Sequence, residues 1–132
     1  MTIAVVAAVI TDDDRFLVTK RPPGVHLEGL WEFPGGKVAP EETHVTALRR
    51  EIREELDADV VVESLLLETT HHYVDRSVTL FFYRCTLKGV PTPLIGQEVR
   101  WVSRIDLPTL GFPPADDELI AMLTSGGPEG RA

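Results

Sequence analysis

The sequence predicts an α+β domain, a mixed β-sheet flanked by two helices in an α/β/α sandwich. Three observations predict it. Apolar runs rich in Val and Ala open the chain, a long central segment repeats apolar residues every three or four positions, and a shorter segment of that period follows a Pro-Pro pair near the end. At 132 residues the chain buries one core without disulfides or a structural metal, so a single domain over residues 1–124 is expected.

Residues 3–10 are continuously apolar, Asp12-Asp13-Asp14 follows, and Phe16-Leu17-Val18 resumes the run, which reads as strand, polar turn, strand. The glycines and prolines of residues 21–40 forbid a long helix. Within them Leu30-Trp31-Glu32-Phe33 predicts a short strand entering Pro34-Gly35-Gly36, a loop that delivers the chain to a helix. That helix is predicted over residues 41–56, because Val45, Leu48, Ile52 and Leu56 share one face and Pro40 precedes the first turn. Residues 60–70 and 77–87 predict strands separated by residues 71–76, and residues 99–102 a short strand that ends the sheet. Pro113-Pro114-Ala115-Asp116 predicts the start of a last helix carrying Leu119, Ile120 and Leu123. Residues 125–132, with three glycines and a proline, predict a flexible tail.

A net charge of −8 argues against a nucleic acid polymer as partner, since backbone binding needs clustered Lys and Arg. No apolar run approaches the roughly 20 residues that span a bilayer, and the opening residues lack a basic leader, so a cytoplasmic protein with no membrane partner is expected. The single cysteine, Cys85, lies in an apolar run and reads as a small buried hydrophobe in a reducing compartment.

The chemistry concentrates on the central helix. At about 100° per residue, Glu51, Glu54 and Glu55 fall within about 100° of one another, beside the apolar stripe. Such a trio costs a few tenths of a kcal/mol per pair, and Arg50, four residues before Glu54, answers one member. Clustered hard oxygens suit Mg²⁺ or Mn²⁺, and phosphoanhydride hydrolysis needs such a cation and a positioned water. The same trio also reads as a solvated helix face in an acidic chain.

The surrounding pattern bears on that choice. Gly36, five residues, Glu42, seven residues, then Arg50-Glu51-Ile52-Arg53-Glu54-Glu55 resembles the Nudix box at every charged position. One departure is that Asp57 and Ala58 stand where the box has Gly and a bulky aliphatic. Because that Gly caps the helix, Asp57 either takes the left-handed conformation itself or the helix ends differently, with a cost in stability rather than in catalysis. The flanks Leu30-Trp31-Glu32-Phe33-Pro34-Gly35-Gly36-Lys37, Asp75-Arg76 and Phe112-Pro113-Pro114-Ala115-Asp116 resemble the MutT-type branch of the family.

The resemblance implies a Nudix-like fold and Mg²⁺, with Mn²⁺ as the alternative. It implies that Gly35 and Gly36 turn the loop so that a backbone carbonyl reaches the metal, that Glu51, Glu54 and Glu55 bind metal and activate water, and that Arg50 belongs to the catalytic set. Glu98, in Gly96-Gln97-Glu98, either adds a carboxylate from a loop or is a solvated turn residue. Glu42 reads as structural, complementing the helix dipole and pairing with Arg49 or Arg53. For substrate, the branch implies that Arg21 and Lys37 meet phosphates and Arg76 sits beside the base, although each also reads as a surface charge. Phe33 and Phe81 either contact the base or fill the core. Asp116 either reads the base edge, where the oxidised-guanine enzymes of the branch use Asn and some cytidine-nucleotide relatives use Asp, or N-caps the last helix.

The implied reaction is attack of water on the β-phosphorus of a nucleoside triphosphate, giving monophosphate and pyrophosphate, on oxidised (8-oxo-dGTP-like) or cytidine nucleotides for pool cleaning. The alternatives are another nucleoside diphosphate derivative, such as a dinucleoside polyphosphate or nucleotide sugar, and a nucleotide-sensing domain without hydrolysis. The expected partner is a small-molecule nucleotide, and the expected state a monomer or homodimer.

Overall fold

In the computed structural model, residues 1–25 and 27–125 are described. The elements run β1 (Thr2–Asp12), β2 (Arg15–Lys20), β3 (Trp31–Glu32), β4 (Gly35–Lys37), α1 (His44–Leu56), β5 (Asp59–His72), β6 (Ser77–Lys88), β7 (Glu98–Ser103) and α2 (Asp117–Thr124). Short 3₁₀ turns at Leu107–Thr109 and Pro114–Asp116 lead into α2.

The seven strands form one mixed sheet in the order β3-β2-β1-β6-β5, with β4 added beside β1 and β7 beside β2. Its axis is β1, parallel to β6 from Thr2↔Ser77 to Ile10↔Cys85. The other edge of β1 is shared: Val5–Ala7 pairs antiparallel with β4, and Thr11–Asp12 with β2. The β1–β2 turn is the two residues Asp13 and Asp14, both at positive φ (52° and 67°), the backbone that matches the twist of a tight hairpin.

Strand alternation sorts the core into two layers. Val6, Ala8 and Ile10 of β1 face α1, where they meet Ala47, Leu48, Ile52 and Leu56. Ala7 and Val9 face the other way, into a cluster with Phe16, Phe33, Phe82, Leu107, Leu119 and Leu123 that carries α2. Leu48, Ile52 and Leu56 are fully buried, each stabilising the fold by about 1.5–3 kcal/mol. The expected sandwich of a mixed sheet between two helices is therefore observed.

Three local expectations are corrected. Gly35–Lys37, expected as a loop, is strand β4, because β1 offers it a free edge. The central helix begins at His44, not at residue 41: Glu41 sits at positive φ (66°), and Thr43 is the N-cap, its Oγ1 accepting from the Thr46 N–H at 3.1 Å. Val45 is 48% exposed, since it falls in the first turn where its angle is right but nothing covers it, and Ala47 takes the inward place. Of the expected tail, residues 126–132 lie outside the described residues.

Candidate active site

The site is assembled where β4 runs beneath α1. Gly35 and Gly36 are extended strand residues, so their role is close approach rather than the loop turn expected of them. A Cβ on residue 35 would collide with the Val6 carbonyl, and one on residue 36 with the Glu51 carboxylate. The Glu51 side chain therefore lies directly against the β4 backbone.

Arg50 organises the acidic face more widely than spacing implied. Its guanidinium donates to Glu42 Oε2 and Oε1 at 2.7 and 2.9 Å, to Glu51 Oε2 at 3.0 Å, to Glu54 Oε1 at 3.3 Å and to the Lys37 carbonyl at 3.0 Å. One cation thus serves three carboxylates and ties α1 to β4. Glu42 pairs with Arg50 and not with Arg49 or Arg53, which both lie beside Asp59. The Arg50 bonds, with one from the Ala39 N–H, hold the Glu42 carboxyl down at about 2.

Glu55 is the opposite case. Burial first, then a hydrogen bond with Glu51 and the charges of Glu51 and Glu32, push its carboxyl up to about 9. Glu32 is also raised by burial, opposed by Arg21, whose Nη1 lies 2.9 Å from Glu32 Oε1. Glu51 and Glu55 thus form a close pair that needs either a proton or a cation between them. Hard oxygens held against a glycine backbone fit a divalent cation such as Mg²⁺ or Mn²⁺. Glu54 stands apart, its side chain 59% exposed and turned to Arg50, and among the described residues no three His, Cys, Asp or Glu groups already converge as a cage.

A cavity of about 250 Å³ opens beside this face, lined by Gly35, Gly36, Lys37, Arg21 and Glu32 and, away from β4, by Phe33, Leu80, Phe82 and Asp116. Asp116 ends the second 3₁₀ turn and is 7% exposed. It occupies the N-cap position of α2 but makes no side-chain capping bond. Burial, then the charges of Glu32 and Asp117, push its carboxyl up to about 7.

The aromatic candidates separate. Phe33 lines the cavity while stacking on Phe112 with ring centroids 5.4 Å apart. Phe81 does not line it: it faces α1, its ring 4.4 Å from His44, and its neighbour Phe82 takes the cavity side. Arg76 lies in the β5–β6 hairpin, its guanidinium 6.0 Å from the Tyr73 ring, and Tyr73 is the lining residue. Glu98 begins β7 rather than sitting in a loop, and it pairs with Arg100 at 2.6 Å beside a separate hollow shared with Lys20 and Arg21. Sequence reasoning missed Glu32, His71, Tyr73 and Phe82 as lining residues. The isolated acid in Trp31-Glu32-Phe33 signals Glu32, whereas alternation along β6 says only that Phe81 and Phe82 face opposite sides.

A family profile described as "NUDIX domain" matches residues 5–122. The chain belongs to the Nudix family. The 8-oxo-dGTP diphosphatase of Escherichia coli (strain K12) is 32% identical over 119 residues, 89% of this chain and 92% of that protein. The CTP pyrophosphohydrolase of the same organism is 50% identical over 60 residues, 46% of this chain and 44% of its own length. The solution structure of the MutT protein, a Nudix hydrolase, from methicillin-resistant Staphylococcus aureus 252 superimposes with a TM-score of 0.78 at 38% identity, covering 96% of this chain and 98% of the other. The Nudix box of this chain runs from Gly36 in β4 through the connecting loop and all of α1. At the position of the box Gly, Asp57 takes the left-handed conformation itself (φ 52°, ψ 42°), and its N–H donates to the Arg53 carbonyl at 3.1 Å. Ala58 is buried behind it.

Proposed function

We propose that this chain hydrolyses nucleoside triphosphates to nucleoside monophosphate and pyrophosphate, with Mg²⁺ as the working cation. The observation that carries the reading is one cavity lined by Gly36, against which the Glu51 carboxylate lies, by the cations Arg21 and Lys37, and by a buried Asp116 that makes no capping bond. Glu51 and Glu55 would hold the cation, with Glu54 at the rim. A divalent cation bound there supplies charge neutralisation for the polyphosphate and eases deprotonation of water. Lys37 and Arg21 meet the phosphates, which they match in charge. Arg50 keeps Glu51 and Glu54 in place, and a glutamate of this face accepts the proton of the attacking water.

Phe33, Leu80 and Phe82 offer apolar surface to a base, while Asp116 and Glu32 read its edge. Two acids favour bases presenting donors, such as the cytosine amine or the amine edge of guanine. The names borne by the relatives, 8-oxo-dGTP diphosphatase and CTP pyrophosphohydrolase, support the same two classes. Removal of damaged or unwanted nucleotides is the role we assign. The whole chain up to residue 124 acts as one domain. The partner is a small nucleotide rather than a nucleic acid polymer, in keeping with the charge of −8, and the enzyme works as a monomer or homodimer. Among the described residues no helix is long and apolar enough to cross a membrane, and the free, buried Cys85 suits a reducing compartment, for which we take the cytoplasm.

The test is a product-resolved panel of normal and oxidised nucleoside triphosphates with Mg²⁺ and a chelator control. Monophosphate plus pyrophosphate, lost on chelation, is expected. Release of orthophosphate, or turnover only of dinucleoside polyphosphates or nucleotide sugars, overturns the reading; binding without turnover points to a sensor.

A further inference from the structure

We propose that Gln97 is a positioning residue for the metal-binding end of α1, acting through the main-chain carbonyl of Glu55. The proposal rests on the divalent-cation reading of the Glu51–Glu55 face.

The last carbonyls of a helix have no partner within it and must find donors elsewhere. In α1 these include Glu55 and Leu56, and their donors come from the segment between β6 and β7. The Thr92 N–H donates to the Leu56 carbonyl at 2.7 Å, and the Leu94 N–H to the Glu55 carbonyl at 3.0 Å. Gln97 adds a side-chain bond to the set: its Nε2 donates to the same Glu55 carbonyl at 2.9 Å, while its Oε1 accepts from the Ile95 N–H at 3.1 Å. The residue is 6% exposed, so this amide is fixed in a buried place with both ends used.

One side chain therefore shapes the loop and grips the helix end together. The grip matters more here because Asp57 must hold the left-handed cap without the conformational freedom of glycine. Glu54 and Glu55 lie in that last turn, so a small rotation of its backbone moves the Glu55 carboxylate away from Glu51. Gln97 touches neither substrate nor cation and acts on both through Glu55.

The test compares Gln97→Met, which keeps length and volume but neither hydrogen bond, with Val102→Ala, a buried β7 residue in the cluster on the opposite side of the sheet. Mn²⁺ affinity is measured by electron paramagnetic resonance without nucleotide, alongside thermal melting and the Mg²⁺ dependence of turnover. Gln97→Met is expected to weaken Mn²⁺ binding about tenfold, the lower end for residues that orient metal ligands, with nucleotide KM at saturating Mg²⁺ near the wild-type value. Val102→Ala is expected to lower the melting temperature with Mn²⁺ affinity kept. If Gln97→Met does not fold, Gln97→Asn keeps the amide but is one methylene too short to reach both partners, and the same loss is expected. Mn²⁺ affinity at the wild-type level in the Gln97 variant, or a loss no larger than that of Val102→Ala, overturns the positioning role. A wild-type chain that binds no Mn²⁺ overturns the cation reading itself.

Discussion

Asp116→Asn converts the buried acid of the cavity into a neutral amide of nearly the same shape, and its effect on stability should grow with pH. The folded chain holds this carboxyl up to about 7, with burial as the largest cause and the charges of Glu32 and Asp117 behind it. An unfolded chain releases the proton near the ordinary aspartate value of about 4. Below that value both states are protonated and Asp116 costs nothing. Between about 4 and 7 the unfolded state ionises while the folded state keeps its proton, so stability falls as pH rises. Above about 7 both are ionised and the full penalty remains. A gap of about three pH units, at about 1.4 kcal/mol each, gives about 4 kcal/mol. That is a large part of the roughly 5–15 kcal/mol that holds a domain folded. Urea unfolding of both proteins from about pH 4 to about pH 8, with chelator present, reads the difference directly. The Asp116→Asn variant should match the wild type at the acid end and exceed it by a few kcal/mol at the alkaline end. A difference that does not change with pH would show that the fold leaves the Asp116 carboxyl at its ordinary value, and a variant less stable at the alkaline end that the carboxylate makes a stabilising bond; either refutes this account of Asp116.

Gly36→Ala places a methyl group against the Glu51 carboxylate, which must swing away; turnover should fall at least about a hundredfold while the melting temperature changes little, because the clashing atoms end a flexible side chain. A near-normal rate would show that Glu51 is not needed where it lies. Glu54→Gln should remove most turnover without unfolding the chain, since this side chain is 59% exposed, and metal titrations of activity would detect its loss. Glu42 is held at about 2 by Arg50 and the Ala39 N–H, so it stabilises the folded state at pH above its unfolded value near 4.5, and that contribution is lost as pH falls through about 2. Glu42→Gln should therefore flatten the acid limb of a stability profile; an unchanged acid limb would argue against the Arg50 pairing in solution.

The parts legible in the sequence were those with a local cause. The apolar run of β1, the triple-Asp turn and the three- and four-residue spacing of Leu48, Ile52 and Leu56 each encode their element without help from distant residues. The box pattern likewise pointed to Glu51 and Glu55 on one helix face. What could not be read depended on register and partner. Phe81 and Phe82 are adjacent aromatics on one strand, and which faces the cavity follows from parallel pairing with β1: Phe82 stands opposite Ala7 and Phe81 opposite Val6. Gly35–Lys37 has poor strand propensity and is a strand only because β1 leaves an edge open beside it. Glu42 chose Arg50 because the chain ahead of Thr43 folds back along the helix, a path that helical spacing does not describe.

The direction of the carboxyl shifts separates scaffold from site. Glu42 and Asp59 are depressed, each by hydrogen bonds from an arginine, and both brace α1 from outside the cavity. Glu32, Glu55 and Asp116 are raised, with burial as the first cause in each, and Glu32 and Asp116 line the cavity beside β4. Of these three, Glu32 keeps Arg21 as a partner, whereas Asp116 makes no capping bond and Glu55 lies against Glu51, a like charge. Burying Asp116 and holding Glu55 half-buried beside Glu51 costs free energy that the α1 and α2 cores must offset. A cation between Glu51 and Glu55, or a base amine at Asp116, relieves part of that cost on binding. On the proposed reading, the crowding that weakens the fold also favours a positively charged or hydrogen-donating occupant, and the two should change together in any variant that neutralises one of the acids.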